Sequence, residues 1–316
     1  MPEELSARSG VGEDRVTGRN ATGPGPAVPA VDGAAHDLVV RDLTVTYHRK
    51  IVLRGVNVRM HRGQVIGVIG PNGGGKSTFL KAILGIVPVA SGSVTLFGRP
   101  ATAMRHRMAY VPQREVIDWD FPVTVGDVVM MGRYPQLGPL RRPRAADAAR
   151  VADVLRRVGM WEHRQTQIGQ LSGGQQQRVF IARALAQEAD VLLLDEPLNG
   201  IDAQTQEVIR ETIEGERQAG KIVLLATHDL VSASCACDCL CCLNQRLVSY
   251  GPTQETYTPE TLSATYGGPV IMLAPSGSAA TAAVVPIADH PHHIPHQAVD
   301  HPHHRHIHEN LGREHD

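Results

Sequence analysis

From residue 38 the chain alternates apolar and polar positions in LVVRDLTVTY (38–47) and IVLRGVNVRM (51–60). That period of two predicts half-buried antiparallel strands. QVIGVIG (64–70) is almost continuously apolar, which suits a strand buried on both faces. A Gly-rich turn follows, then the helical stretch KSTFLKAILGI (76–86). SGSVTLFG (91–98) predicts a short strand, and RMAYVPQ (107–113) a strand that ends at a proline. Residues 123–172 turn mostly helical, with AADAARVADVLRRVGM placing apolar side chains at helical spacing. VLLLDEP (191–197) and KIVLLATHD (221–229) predict two more buried strands with a helix between them. LCCLNQRLVSYG (240–251) predicts a closing hairpin. Strands alternating with helices imply an α/β fold with a mostly parallel sheet covered on both faces. The segment 123–172 reads as a helical insertion in it.

The ends read differently. Residues 1–36, with ATGPGPAVPAVDGAA among them, hold too little apolar surface to offset the entropy of ordering, so a disordered arm is expected. The globular pattern runs from about Asp37 to Gly268. Residues 269–316 read as a small-residue linker, PSGSAATAAVVP, and a His-rich disordered tail.

The formal charge of −1 on 316 residues leaves no whole-chain basic field for nucleic acid or an anionic membrane. Aromatics at 4% are too few for a base-stacking platform. No apolar run reaches 18 residues, and MPEELSARSG lacks the apolar core of a secretory signal, so a soluble, cytosolic chain is expected.

Gly70-Pro71-Asn72-Gly73-Gly74-Gly75-Lys76-Ser77-Thr78 fits G-x-x-x-x-G-K-[ST] and lies between an apolar strand and a helix. Glycines let successive backbone N–H groups turn inward around phosphate oxygens, and the helix N-terminus adds partial positive charge. In that setting Lys76 bridges the β- and γ-phosphates, and the Ser77 hydroxyl ligates Mg²⁺. VLLLDEP ends a buried strand in two acids, where open α/β sheets place their ligands. Asp195 is positioned to hold Mg²⁺, and Glu196 to orient and deprotonate the attacking water. Leu171-Ser172-Gly173-Gly174-Gln175-Gln176-Gln177-Arg178 precedes a helical run. Ser172 is a plausible N-cap, and the two glycines expose donors at a helix start, a second anion site. One domain needs one phosphate cradle, so the second points to a partner served in trans.

With LSGGQQQR in view, the sequence resembles the ATP-binding cassette family, whose signature this stretch matches. The other motifs follow in order. Tyr47 stands where the family has its adenine-stacking aromatic, Gln113 in YVPQ at the Q-loop, Asp202 in LNGID at the D-loop, and His228 in ATHD at the switch histidine. The likeness spans about 37–268. It implies a P-loop NTPase, RecA-like core with an antiparallel β subdomain and an α-helical insertion subdomain at about 115–172. It also implies a head-to-tail homodimer of ATPase subunits holding ATP and Mg²⁺. Each ATP would lie on Gly70–Thr78 of one copy and be capped by Ser172, Gly173, Gly174 and Gln175 of the other. Gln113 would reach Mg²⁺, and His228 the γ-phosphate. Two departures stand out: the run Gly73-Gly74-Gly75, where one non-Gly residue is usual, and Asn199, where a small or apolar residue is usual.

YVPQREVIDWDFPVTVGDVVMMGRY (110–134) resembles the ATPase subunits of bacterial manganese, zinc and ferrous-iron importers. WDFPVTV with the following DVVMMGRY is the specific part; siderophore and cobalamin importers share the portion at Gly132-Arg133-Tyr134-Pro135 but usually not Asp118-Trp119-Asp120-Phe121-Pro122. The resemblance implies a separate integral membrane permease, docked near Trp119 and Phe121, and indirectly a substrate-binding lipoprotein. It places the chain on the cytoplasmic face of the membrane, with no role for nucleic acid. Translation-type members carry two cassettes and repair-type members a long coiled coil; neither feature occurs here. All five Cys lie in 235–242, where Cys237, Cys239 and Cys241 would share a face if extended. They could act as metal ligands or as small buried apolar side chains. The tail holds ten of the sixteen His, among them His292, His293, His303 and His304, which suit Zn²⁺ over Mn²⁺.

Overall fold

The computed structural model describes residues 37–113, 121–138, 141–273 and 283–286. Alternating residues first form β1 (Leu38–Tyr47) and β2 (Lys50–Met60), paired antiparallel from Leu38↔Met60 to Tyr47↔Lys50. The apolar run forms β3 (Gln64–Ile69), and the Gly-rich turn leads into α1 (Lys76–Ile83). β4 (Ser91–Leu96) pairs antiparallel with β1 and with the two-residue β5 (Arg99–Pro100). The result is an antiparallel sheet in the order β2-β1-β4-β5.

β6 (Met108–Val111) returns the chain to the central sheet. The insertion follows, with α2 (Val125–Met131), α3 (Tyr134–Leu137) and α4 (Ala145–Arg157). Thr124 caps α2 in a reciprocal box with Asp127, the side-chain pairing that fixes a helix start. α5 (Gly173–Ala186) packs on α2 and α4 and then delivers β7 (Val191–Asp195). Next come α6 (Ala203–Gln218), β8 (Ile222–Ala226) and α7 (Leu230–Ala236). The hairpin β9 (Cys239–Asn244) and β10 (Arg246–Pro252) precedes α8 (Thr253–Thr256) and α9 (Pro259–Tyr266). The central sheet runs β10-β9-β3-β8-β7-β6, parallel except for β10.

Its strands feed two cores in strict alternation. Val65 and Ile69 of β3, Leu192 and Leu194 of β7, and Val223 and Leu225 of β8 face the helical insertion. Ile66, Val68, Leu193, Ile222 and Leu224 face α1 and the antiparallel sheet. That two-sided burial is why these strands read as continuous apolar runs.

The cysteines divide between the same two cores. Cys239 and Cys241 share one face of β9, whereas Cys237, at the end of α7, lies with Cys242 on the other side. The three do not converge as an extended stretch predicts, because the helix runs to Ala236 and turns Cys237 away. Burial raises the Cys237 and Cys242 thiols to about 12 and raises Cys239 and Cys241 as well. They are neutral packing groups, and among the described residues no cluster of His, Cys, Asp or Glu could hold a metal ion. Beyond α9, β11 (Val270–Leu273) pairs antiparallel with β12 (Ala283–Pro286), the last four residues of PSGSAATAAVVP. Backbone pairing with β11 orders this short, Val-containing end of the segment. Trp119 and His292, His293, His303 and His304 lie outside the described residues.

Candidate nucleotide site

β3 ends at the centre of the sheet, and the loop 70–75 crosses from it to α1. Gly75 starts α1 at φ 98°, a left-handed geometry open to glycine, where a Cβ would lie 2.5 Å from Leu53 Cδ2. A Cβ on Gly74 would lie 2.9 Å from both the Leu243 and the Pro71 carbonyl oxygens. The Gln245 N–H also donates to the Gly74 carbonyl at 2.8 Å. The extra glycine is therefore matched to the β9–β10 turn pressed beneath the loop.

Lys76 is only 6% exposed, and its Nζ donates to the Gly70 carbonyl at 2.9 Å and the Pro71 carbonyl at 3.2 Å. Burial lowers its pKa, and the charges of Glu196 and Asp195 oppose that shift. The Ser77 hydroxyl, in the first turn of α1, donates to Asp195 Oδ1 at 3.0 Å. Asp195 closes β7 and is 2% exposed. Burial raises its pKa against the hydrogen bonds from Ser77 and Tyr110.

The next residue, Glu196, has φ 49°, and its N–H is held by the Ala226 carbonyl at 2.9 Å. Strained backbone of this kind persists where its surroundings fix it. Its Oε2 is the focus of the site. Gln113 Nε2 donates to it at 3.3 Å, Asn199 Nδ2 at 3.3 Å, and His228 Nδ1 stands 3.5 Å away. These groups arrive from the ends of β6, β7 and β8, where parallel strands open onto a shared crevice. A cavity of about 550 Å³ joins them to Asn72, Gly73, Gly75, Lys76, Ser77 and Thr78, with Val52 on its wall.

The other expected residues lie elsewhere. Tyr47 stands at the tip of the β1–β2 hairpin, and it is Val52 of that hairpin that lines the cavity. Ser172 caps α5: Gln175 N donates to Ser172 Oγ at 3.3 Å, and Ser172 N to Gln175 Oε1 at 2.9 Å. Gly173 and Gly174 open that helix, away from the lining of their own chain's cavity. Asp202 caps α6 through the Thr205 N–H at 2.8 Å, and that bond lowers its pKa. A Cβ on Gly174 would lie 3.1 Å from Asp202 Oδ2, so the two motifs touch within one chain. Asn199 and Tyr110 escaped the sequence reading as site residues. The first was visible there only as a departure, and the second only as the unassigned first residue of YVPQ.

Residues 53–199 match the ABC transporter family. The chain is 47% identical over 232 residues to the manganese transport system ATP-binding protein MntB of Bacillus subtilis (strain 168), covering 73% of this chain and 93% of that protein. The chain belongs to the ABC transporter family. It is also 46% identical over 238 residues to the zinc transport system ATP-binding protein TroB of Treponema pallidum (strain Nichols), covering 75% of this chain and 90% of that one. Among solved structures, a chain from an inward-facing conformation of an ABC transporter superposes with TM-score 0.71 at 26% identity, covering 80% of this chain and 98% of the other. Membership makes this ABC chain an ATP-binding protein and an ATP hydrolase.

Proposed function

We propose that the chain is the ATPase subunit that drives import of a divalent transition metal, manganese, zinc or ferrous iron, through a separate membrane permease. The observation that carries the ATPase site is the meeting of Lys76, Ser77, Gln113, Glu196 and His228 on one cavity, with Asp195 behind Ser77. The transport systems named for MntB and TroB support the metal class.

The donor set suits ATP with Mg²⁺: a hydroxyl, a buried carboxylate and an amide oxygen are hard oxygen ligands, and Gly73 and Gly75 of the glycine loop line the cavity. Ser77, Asp195 and Gln113 would hold the Mg²⁺, which neutralises charge building on the β- and γ-phosphate oxygens. Lys76 places its ammonium on the same oxygens. Glu196 accepts the proton of the attacking water, and Asn199 and Gln113 keep its carboxylate aimed. His228, beside Glu196, donates to the γ-phosphate as charge develops.

Ser172–Gln175 lie outside this cavity in their own chain, which supports a head-to-tail homodimer in which they cap the nucleotide of the other copy. Phe121, Met131 and Tyr134 are exposed on the helical insertion, 59%, 37% and 53% respectively, and fit a docking surface for the permease. A substrate-binding lipoprotein would act through that permease. Among the described residues no helix is long and apolar enough to cross a membrane, which suits a peripheral subunit on the cytoplasmic face.

Glu196→Gln tests the assignment. Expected are retained ATP binding, turnover lowered by about 10³-fold, and an ATP-trapped dimer on gel filtration. Undiminished hydrolysis would overturn the role of Glu196. Reconstitution with its membrane permease and a series of metal ions would identify the cargo by stimulated ATPase; stimulation by a metal-free organic chelator alone would overturn the metal reading.

A further inference from the structure

We infer that Tyr110, the first residue of YVPQ and one to which the motif itself gives no role, is a positioning residue that sets the affinity of the site for its divalent cation by holding the second oxygen of Asp195. The inference rests on the nucleotide reading above and adds a residue to it.

Asp195 has two carboxylate oxygens and almost no contact with solvent. Oδ1 accepts from Ser77 Oγ at 3.0 Å, and Oδ2 accepts from the Tyr110 hydroxyl at 3.1 Å. Both bonds together fix rotation about the carboxylate. Strand register explains the reach. β6 and β7 are parallel neighbours with Tyr110 opposite Leu193. Residues 193 and 195 point to the same face, so the phenol at 110 leans one residue pair along the strand to meet Asp195. The ring packs against the core on the α1 side of the sheet, which is where Ser77 enters from above. Tyr110 thus has a buried body and one polar atom, and that atom is spent on the acid expected to face the cation.

The consequence is specific. A carboxylate free to turn must be reoriented each time a cation is bound, whereas one held from behind presents its Oδ1 edge beside the Ser77 hydroxyl in advance. A hydrogen bond from a neutral donor to a charged acceptor also favours the ionised carboxylate in a buried setting. Removing the hydroxyl should therefore weaken the cation more than the nucleotide.

The test uses the full chain and Tyr110→Phe, which keeps the ring and deletes only the oxygen. Binding of a fluorescent, non-hydrolysable ATP analogue is measured without metal and then along a Mg²⁺ titration, with Mn²⁺ followed in parallel by its electron paramagnetic resonance signal. Metal-free analogue binding should stay within about twofold of wild type, while the Mg²⁺ needed for half-saturation rises about ten-fold. In an Asp195→Asn background the same substitution should produce no further shift, because the two side chains act as one unit. An unchanged Mg²⁺ requirement in Tyr110→Phe would overturn the inference. So would an equal shift in the Asp195→Asn background, which would mark Tyr110 as a packing residue. A wild-type chain that binds no nucleotide at all would overturn the nucleotide reading itself, and this inference with it.

Discussion

At Glu196 the backbone enters a left-handed conformation that an L-residue adopts at a cost of about 1–3 kcal/mol. The turn it begins brings Asn199 back onto its carboxylate, since the Asn199 N–H donates to the Glu196 carbonyl at 3.3 Å while the side-chain amide reaches Oε2. A carboxylate that must accept a proton from water gains from being aimed beforehand. Asn199→Ala should therefore lower kcat about three- to ten-fold with little change in KM for ATP, as loss of one long hydrogen bond worth about 0.5–1.5 kcal/mol predicts. Steady-state kinetics with ATP varied would check it; a change in KM alone would place Asn199 in binding. Sequence motif marked Asn199 only as unusual, because its partner is set by a turn and not by spacing.

Helices carry the next level. α4 belongs to the insertion and α6 to the layer covering the sheet, and they meet through Arg157 and Glu216, 2.8 Å apart. Glu216 is 3% exposed and also bonds Lys221. Burial alone would raise the Glu216 pKa, yet the hydrogen bonds from Lys221 and Arg157 outweigh it and leave it below the ordinary Glu value. A lowered acid stabilises the fold above its unfolded-state pKa, near 4.3, and that stability is lost as pH falls through the folded-state value. Glu216→Gln should cost about 3 kcal/mol at pH 7, since it leaves two cations around a neutral amide. The difference from wild type should shrink below about pH 4. Urea unfolding across pH measures both. An effect independent of pH would mean that packing, not charge, joins the two helices.

For the molecule as a whole, one half-site faces its own cavity and the other faces outward. Lys76, Ser77, Gln113, Glu196 and His228 converge, while Ser172 and Gly173 open α5 elsewhere and Gly174 abuts Asp202. Ser172→Arg should accordingly leave ATP binding at Lys76 within about twofold and abolish turnover and the ATP-dependent dimer of Glu196→Gln. Equilibrium binding and gel filtration on the same preparations would decide it. Loss of ATP binding in the single variant would place Ser172 in the cavity of its own chain.

The sequence by itself determined the strands of the central sheet, the glycine loop, the two acids at the end of β7 and the cap of α5. These are local: each follows from the period of apolar residues or from a side chain bonding a backbone group three residues away. It also determined the ABC family, because motifs such as LSGGQQQR are contiguous. Tertiary structure alone decided the rest. Which thiols face which core depended on where α7 stops. Why Gly74 has no Cβ depended on a carbonyl 169 residues further on, at Leu243. That Tyr110 and Ser77 divide the two oxygens of Asp195 depended on three elements meeting, and no spacing within one segment encodes a contact between strands that the chain joins only after more than 80 residues.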